Sequence, residues 1–560
     1  MAPGVTRASF PASGSTFGVH SMQPSPSNGR RPNIVFCVCE DWGRHASAYA
    51  DDALNAHLDT PNIDRLAREG ALFLNARTPA PGPNPCRSSL FSGRYFFQTG
   101  LGAIEQGTVW DDSLQTFPLE LEKSGYALGH TYEGDCGKTK GYVGGKRTCF
   151  NAAGTRFSDF SLRVCKASCP EGREAITKEL LQEVHDNFAS FLDSAGPKPF
   201  CYIWGPCSCH RDYAPGSGAE LWGIKPDMLQ LPAFLPDCDA VRQDMSDYLG
   251  EVQAMDRGLG VLLTELAARG EVENTIVVVT GGHGMPMPRA KATLYEAGCQ
   301  VALAVRWPGH VAAGHVVQGL VNTMDLAPWL AWCGGLGFRF PGLSRARSLV
   351  EILAGGDVDA EQDFVISGLE RHVSIAREGC LPYPARSLRT RMFLYIFNFE
   401  PSRWPAGDPH GLVEDLECEV AVEEYENVAK STMLVLPDCD ASPSFAWMVY
   451  NRSADAVRPL FLAAFGKRPQ EELYDLRCDP HCMNNLAADV TLMDVKIQMK
   501  SQLMAVLAEN DDPRVTENPC RYERPPYSDI DTKYTTDKGR AFIDGLQKQR
   551  QKAWGRRCKL

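Results

Sequence analysis

The sequence predicts an α/β protein: a large mixed, mostly parallel sheet flanked by helices, followed by a smaller second unit. Short, nearly continuous apolar and β-rich runs recur at residues 32–39 (PNIVFCVC), 199–204 (PFCYIW) and 275–280 (TIVVVT). A strand has that composition when helices bury it on both faces, as in a parallel sheet. Amphipathic helical patterns separate the runs, and the composition shifts near Pro341. At 560 residues the chain is also too long for one ordinary core.

In order, residues 1–30 are rich in Ser, Pro and Gly and lack an apolar h-region. They read as a disordered leader rather than a secretory signal. That leaves a soluble cytoplasmic or organellar protein, or a secretory one with an incomplete start. The strand at residues 32–39 is followed by Glu40 and Asp41 at its carboxyl end, where open α/β sheets place ligands, and paired carboxylates suit a hard divalent cation. Residues 60–73 give a helix, with Ile63, Leu66 and Ala67 on one face and Gly70 as C-cap, and then a strand.

The organising stretch is residues 81–95 (PGPNPCRSSLFSGRY). It reads as a tight loop delivering residues onto a helix N-terminus, where backbone N–H groups favour an anion. Arg87 adds a planar cationic fork suited to sulfate or phosphate. A helix and strand follow at residues 117–131, a Gly- and Cys-rich loop at 135–167, and helices at 178–192 and 244–269. The chain divides into a leader (1–30), a large domain (31–340), a second unit (341–511) and a polar tail with a basic end (512–560).

The central stretch resembles the sulfatase signature C-x-P-S-R-[AS]-[AS]-L-[LMF]-[TS]-G-R from Pro85 through Arg94. In that family the Cys becomes formylglycine, whose hydrate attacks the sulfate ester. Aligned on Arg87, Pro83 holds the formylglycine position and Cys86 the signature Ser, so no formylglycine is expected. The resemblance runs on in family order through about residue 512. It implies an alkaline phosphatase-like fold with an antiparallel C-terminal sheet and a helix. The E-D-W opening, G-R-Y-F-F-Q-T-G and M-P-M-P-R-A-K resemble heparan N-sulfatase-like and arylsulfatase-type enzymes.

The resemblance also implies roles. Glu40, Asp41 and His283 fall on calcium ligands, with Gly282 where the family has Asp. Arg87 and Lys291 fall on groups that contact sulfate, and Glu133 replaces a sulfate-contacting Lys. His210 keeps one of two histidines of H-D-P-H-R-P-Y, the one that serves the leaving group having become Cys207. Arg371 and His372, in G-L-E-R-H, fall near substrate-contacting groups.

Three functions follow from these residues. One is a sulfatase-family protein for a sulfated small molecule or glycan, weakly active or inactive. Another is a hydrolase using Cys86 or a metal-bound water. The last is a thiol or zinc module, in which Cys86, Cys207, Cys209, His210 and His283 converge on one pocket. A net charge of −12 argues against nucleic acid, and no apolar run reaches the roughly 20 residues of a membrane span. Twenty cysteines without an export signal make thiols or metal binding as reasonable as disulfides.

Overall fold

The computed structural model describes residues 30–50, 52–104, 109–110, 113–132, 138–139, 164, 167, 169–336, 349–353, 355, 364–373, 376–377, 381–409, 425–432 and 434–523. The leader, nearly all of the 135–167 loop and the boundary at Pro341 lie outside the described residues.

Seven strands form the larger sheet: β1 (Asn33–Cys39), β2 (Ala71–Arg77), β3 (Ala127–Tyr132), β4 (Phe200–Gly205), β5 (Thr275–Gly281), β6 (Leu303–Arg306) and β7 (His315–Asn322). Their order is β3-β4-β1-β5-β6-β2-β7. Every neighbouring pair is parallel except those of β6, which runs antiparallel to β5 and β2. The strand β1 is the hub, with Ile34 opposite Cys201 on one side and Ile276 on the other. Its side chains alternate between two cores. Val35, Cys37 and Cys39 enter one, and Ile34, Phe36 and Val38 enter the other. A strand with both faces buried needs the uninterrupted apolar run that this one has.

Helices α1 (Pro61–Glu69), α2 (Pro83–Ser92), α3 (Phe117–Lys123), α4 (Pro170–Ala195), α5 (Asp239–Ala268) and α6 (Leu326–Cys333) accompany the sheet. The helix expected at 178–192 begins earlier, where Pro170 supplies a start at N1. Gly70 does cap α1, but its φ of −152° is not the left-handed conformation usual for a glycine cap. A Cβ there would lie 2.1 Å from the Val305 carbonyl oxygen, so close approach of β6 demands the glycine.

The second unit is an antiparallel sheet of β8 (Phe364–Leu369), β9 (Ala385–Thr390), β10 (Phe393–Asn398) and β11 (Glu471–Asp475) in sequential order. Helices α7 (Pro443–Tyr450) and α8 (Met493–Glu509) belong to it. Leu503 and Leu507 of α8 share a core with Leu388, Tyr395 and Leu473, and with Phe96 and Phe97 beyond α2. The polar tail placed from residue 512 begins later than the sequence suggests. Asp512 is fully buried and takes Nε of Arg386 at 2.6 Å and Nη2 at 3.0 Å. Tyr522 is buried too, its hydroxyl donating to the Phe97 carbonyl at 3.1 Å. Among the described residues no helix is long and apolar enough to cross a membrane.

Candidate functional site

The carboxyl ends of β1, β4 and β5 lie side by side, and residues of α2 and of the second unit make ion pairs with the side chains that follow them. At the end of β1, Glu40 and Asp41 are buried, with Asp41 fully inaccessible. Asp41 has φ of 54°, a strained conformation for a residue with a side chain. The Tyr248 hydroxyl of α5 donates to its carbonyl at 3.1 Å and holds that turn.

Residues 83–92 are all helical, so the predicted loop onto a helix N-terminus is instead the first turns of α2, with Gly82 as N-cap and Pro83 at N1. Arg87 therefore lies a full turn inside the helix. It is buried, and its Nη1 donates to Oε1 of Glu40. Burial alone would raise the Glu40 carboxyl, but Arg87, with help from His283 and Lys291, lowers it to about 2. Cys86 is 1% exposed, and its thiol donates to the Gly282 carbonyl at 2.8 Å.

At the end of β5, Gly281 packs so tightly that a Cβ would lie 1.9 Å from the Trp42 carbonyl oxygen. Gly282 has room: its Cβ would make only ordinary contacts, 3.6 Å from the Cys39 oxygen and 4.0 Å from Oε1 of Glu40. His283 is fully buried, with Nδ1 3.4 Å from Oδ1 of Asp41 and Nε2 3.9 Å from Oε2 of Glu40. Lys291 follows in a segment where Arg289 and Ala292 both have positive φ. Its Nζ lies 2.9 Å from Oδ1 and 3.0 Å from Oδ2 of Asp41, and 3.0 Å from Oδ2 of Asp440. Burial disfavours the ammonium, yet Asp41 and Asp440 more than offset this and raise its pKa above the ordinary lysine range.

The loop after β4 carries Cys207, Cys209 and His210. Arg211 anchors it through two bonds to Asp244 of α5, at 2.6 and 2.8 Å. The His210 side chain is 44% exposed, with Nε2 3.9 Å from Oδ2 of Asp41. Cys209 is fully buried, and burial together with the nearby Cys39 thiol pushes its own thiol well up.

The second unit contributes the residues that sequence reasoning missed. Asp438 accepts from the Val373 N–H at 2.6 Å and from Nη2 of Arg377 at 2.8 Å, and lies 3.2 Å from Nδ1 of His372. Two residues on, Asp440 reaches Lys291. In the sequence both aspartates belong to P-D-C-D-A-S, whose composition reads as a solvated turn. Of the two positions read for substrate contact, His372 is buried beside Asp438. Burial opposes its charged form, but Asp438 raises its pKa on balance. Arg371 is only 1% exposed and donates to the Tyr522 carbonyl at 3.4 Å. Glu133 lies outside the described residues.

The donors present do not fit the calcium expected between Glu40, Asp41 and His283. Lys291 engages both oxygens of Asp41, Arg87 engages Glu40, and Gly282 supplies no side-chain ligand. Calcium takes about six to eight oxygens. Among the described residues no group of three or more His, Cys, Asp or Glu side chains could hold a metal ion. The five-residue thiol and imidazole cluster expected for zinc is therefore not assembled, and Cys86 is turned toward a backbone carbonyl.

Comparison with known proteins bears on this geometry. The family model described as Sulfatase matches residues 32–336. The chain is 26% identical to human N-sulphoglucosamine sulphohydrolase over 518 residues, covering 87% of this chain and 92% of that protein. It is 22% identical over 505 residues to an ulvan-active sulfatase of Formosa agariphila, covering 84% and 74%. A solved structure of a protein in complex with its substrate D-glucosamine-2-N,6-O-disulfate superposes with a TM-score of 0.58 at 17% identity, covering 87% of this chain and all of that one. A phosphonate monoester hydrolase of Silicibacter pomeroyi gives 0.59 at 17% identity, covering 87% and 97%.

Proposed function

This chain belongs to the sulfatase family, and from that premise we propose that its cleft binds a sulfated sugar and turns it over weakly or not at all. The relatives support the substrate class: one is named for N-sulphoglucosamine and another acts on ulvan. Reduced turnover rests on one residue. Pro83 occupies N1 of α2 at the position the signature gives to the formylglycine precursor, and its ring offers no nucleophile. A catalytic nucleophile carries several orders of magnitude in rate, and Cys207 at the leaving-group position removes a second contributor. In this reading Arg87, Lys291 and His210 face the sulfate end of the ligand and His372 supports the sugar side through Asp438, while calcium has no complete ligand set.

The test is turnover of 4-nitrophenyl sulfate by purified protein beside Arg87→Ala. A rate at or barely above a catalyst-free control is expected, with several orders of magnitude missing relative to an enzyme that keeps its nucleophile. Rapid turnover, with kcat in the ordinary enzyme range of about 1 per second or more, that survives repurification and disappears in Arg87→Ala would overturn the reading.

A displaced nucleophile at Cys86 finds little support. The thiol is buried, bonded to Gly282, and three residues along α2 from position 83, a rise of about 4.5 Å. Loss of any observed turnover in Cys86→Ala would reinstate it. Stoichiometric zinc in protein purified without added metal, reduced in Cys207→Ala, would reinstate the thiol-metal reading.

A further inference from the structure

Lys291 is the one cation of the cleft that the second unit touches directly with a carboxylate among the described residues. An ammonium has three N–H donors. Here three carboxylate oxygens lie within 3.0 Å of Nζ: both of Asp41 and Oδ2 of Asp440. Nζ donates to Oδ2 of Asp41, and the other two oxygens flank the ammonium as ion-pair contacts, so an arriving anion meets carboxylate oxygens on the sides of both aspartates. The third oxygen comes from a side chain 18% exposed, whereas Asp41 is fully buried. Asp440 is therefore the partner that an arriving ligand can displace. It is also held in place. Asp438, two residues before it, is pinned by Val373 and Arg377, and Ser442, two residues after it, caps α7 by accepting from the Phe445 N–H.

We propose that Asp440 is a specificity-determining residue that acts as an internal carboxylate ligand of Lys291 and competes with the oxyanion of an incoming ligand. The inference rests on reading Lys291 as the oxyanion contact of the cleft. Its carboxylate takes the place that a sulfate oxygen needs at Nζ. The balance of charge points the same way. Among the described residues, Glu40, Asp41 and Asp440 stand against Arg87 and Lys291 in direct ion pairs, so an oxyanion at Nζ of Lys291 meets two carboxylates there. Replacing Asp440 by a neutral residue removes the carboxylate that stands 3.0 Å from Nζ of Lys291 and takes away one of those charges. Asp41 remains to pair the ammonium, so the buried cation is not orphaned.

Isothermal titration with inorganic sulfate and with D-glucosamine-2-N,6-O-disulfate tests this on the wild type, Asp440→Asn, Asp440→Ser and Asp440→Asn/Lys291→Met. Far-UV circular dichroism verifies that each is folded, and the serine variant stands in if the asparagine one is not. The neutral variants are expected to bind sulfate at least about tenfold more tightly than the wild type, about 1.4 kcal/mol. The double variant is expected to lose that gain. Equal sulfate affinity in the wild type and both neutral variants overturns the role of Asp440 while leaving the cleft as a sugar site. A gain that persists without Lys291 overturns it as well. Failure of every variant to bind either probe removes the sulfated-sugar reading, and this inference with it.

Discussion

Gly282 is where the cleft can be made to accept a cation. A Cβ at this position meets only ordinary contacts, the nearest 3.6 Å away at the Cys39 oxygen, so a side chain can start here without a backbone clash. Its carboxylate would stand beside Glu40, whose Oε1 lies 4.0 Å from that Cβ. Two unit charges about 4 Å apart repel by about 4 kcal/mol at an effective dielectric near 20, and protonation of one partner relieves part of this. Gly282→Asp should therefore be about 1–2 kcal/mol less stable than wild type in chelator. A third carboxylate also supplies the oxygens that Glu40, Asp41 and His283 lack. Calcium at about 100-fold over its Kd would then return about 2.7 kcal/mol. Thermal unfolding of both proteins in EDTA and in millimolar calcium reads the difference. The variant should rise by a few degrees with calcium and the wild type should not. Equal midpoints for the variant in the two buffers, or an equal calcium shift in the wild type, would refute the claim that the missing ligand keeps the cation out.

Three other outcomes follow from the same geometry. Lys291→Met leaves Asp41 and Asp440 buried without their ammonium and should cost about 3–5 kcal/mol in denaturant unfolding; a loss below about 1 kcal/mol would show that water already screens the pair. Gly281→Ala drives a Cβ to 1.9 Å from the Trp42 carbonyl and should yield little soluble protein, whereas Gly282→Ala should express normally. His372 has its pKa raised in the folded state, so its pairing with Asp438 stabilises fully below about pH 6.5 and fades as pH rises through the raised value. His372→Gln should then lose about 1–3 kcal/mol at about pH 6 and less in alkali, and a loss independent of pH would contradict the ion pair.

Much of the fold could be read from residues alone because it rests on local pattern. The run from Asn33 to Cys39 is apolar at every position but one, and it lies at the centre of the sheet with Thr275–Gly281 beside it for the same reason. Helix ends were less legible, since Pro170 and Asp239 start their helices in segments with weak apolar spacing. Gly70 shows how a correct position can carry the wrong cause: the sequence signals a cap, and the close approach of Val305 lies 235 residues away. For the site, Glu40 and Asp41 could be named because they follow a recognisable strand, and Arg87, His283 and Lys291 because they fall on motifs of the family the chain resembles. Asp438 and Asp440 could not, because their significance comes from packing between two units far apart in the chain. The burial of Arg371 could not be read either. A charged residue in a turn-like sequence reads as solvated until its partner, here the Tyr522 carbonyl, is known.

The same logic predicts that restoring the nucleophile alone is not enough. Position 83 is the first residue of α2 and Arg87 lies four residues on, so the two side chains share a helix face. Pro83→Cys would return a thiol to that face, and the backbone N–H it restores sits at a helix position that has no internal partner in any case. The fold should tolerate the change at a cost below about 1 kcal/mol. Turnover is another matter. Buried carboxylates must be compensated, and in this cleft Arg87 and Lys291 compensate Glu40 and Asp41. Cations held that way are not available to the charge that develops in a transition state, because binding it would uncover the carboxylates. Pro83→Cys/Cys86→Ser, which recreates C-x-P-S-R, should thus show no 4-nitrophenyl sulfate turnover above wild type, even when oxidised to the aldehyde. Turnover should require Gly282→Asp with calcium in the same chain, since a metal ion between the carboxylates would release both cations. Activity from the signature repair alone would show that the ion pairs break freely and that the missing nucleophile was the sole obstacle.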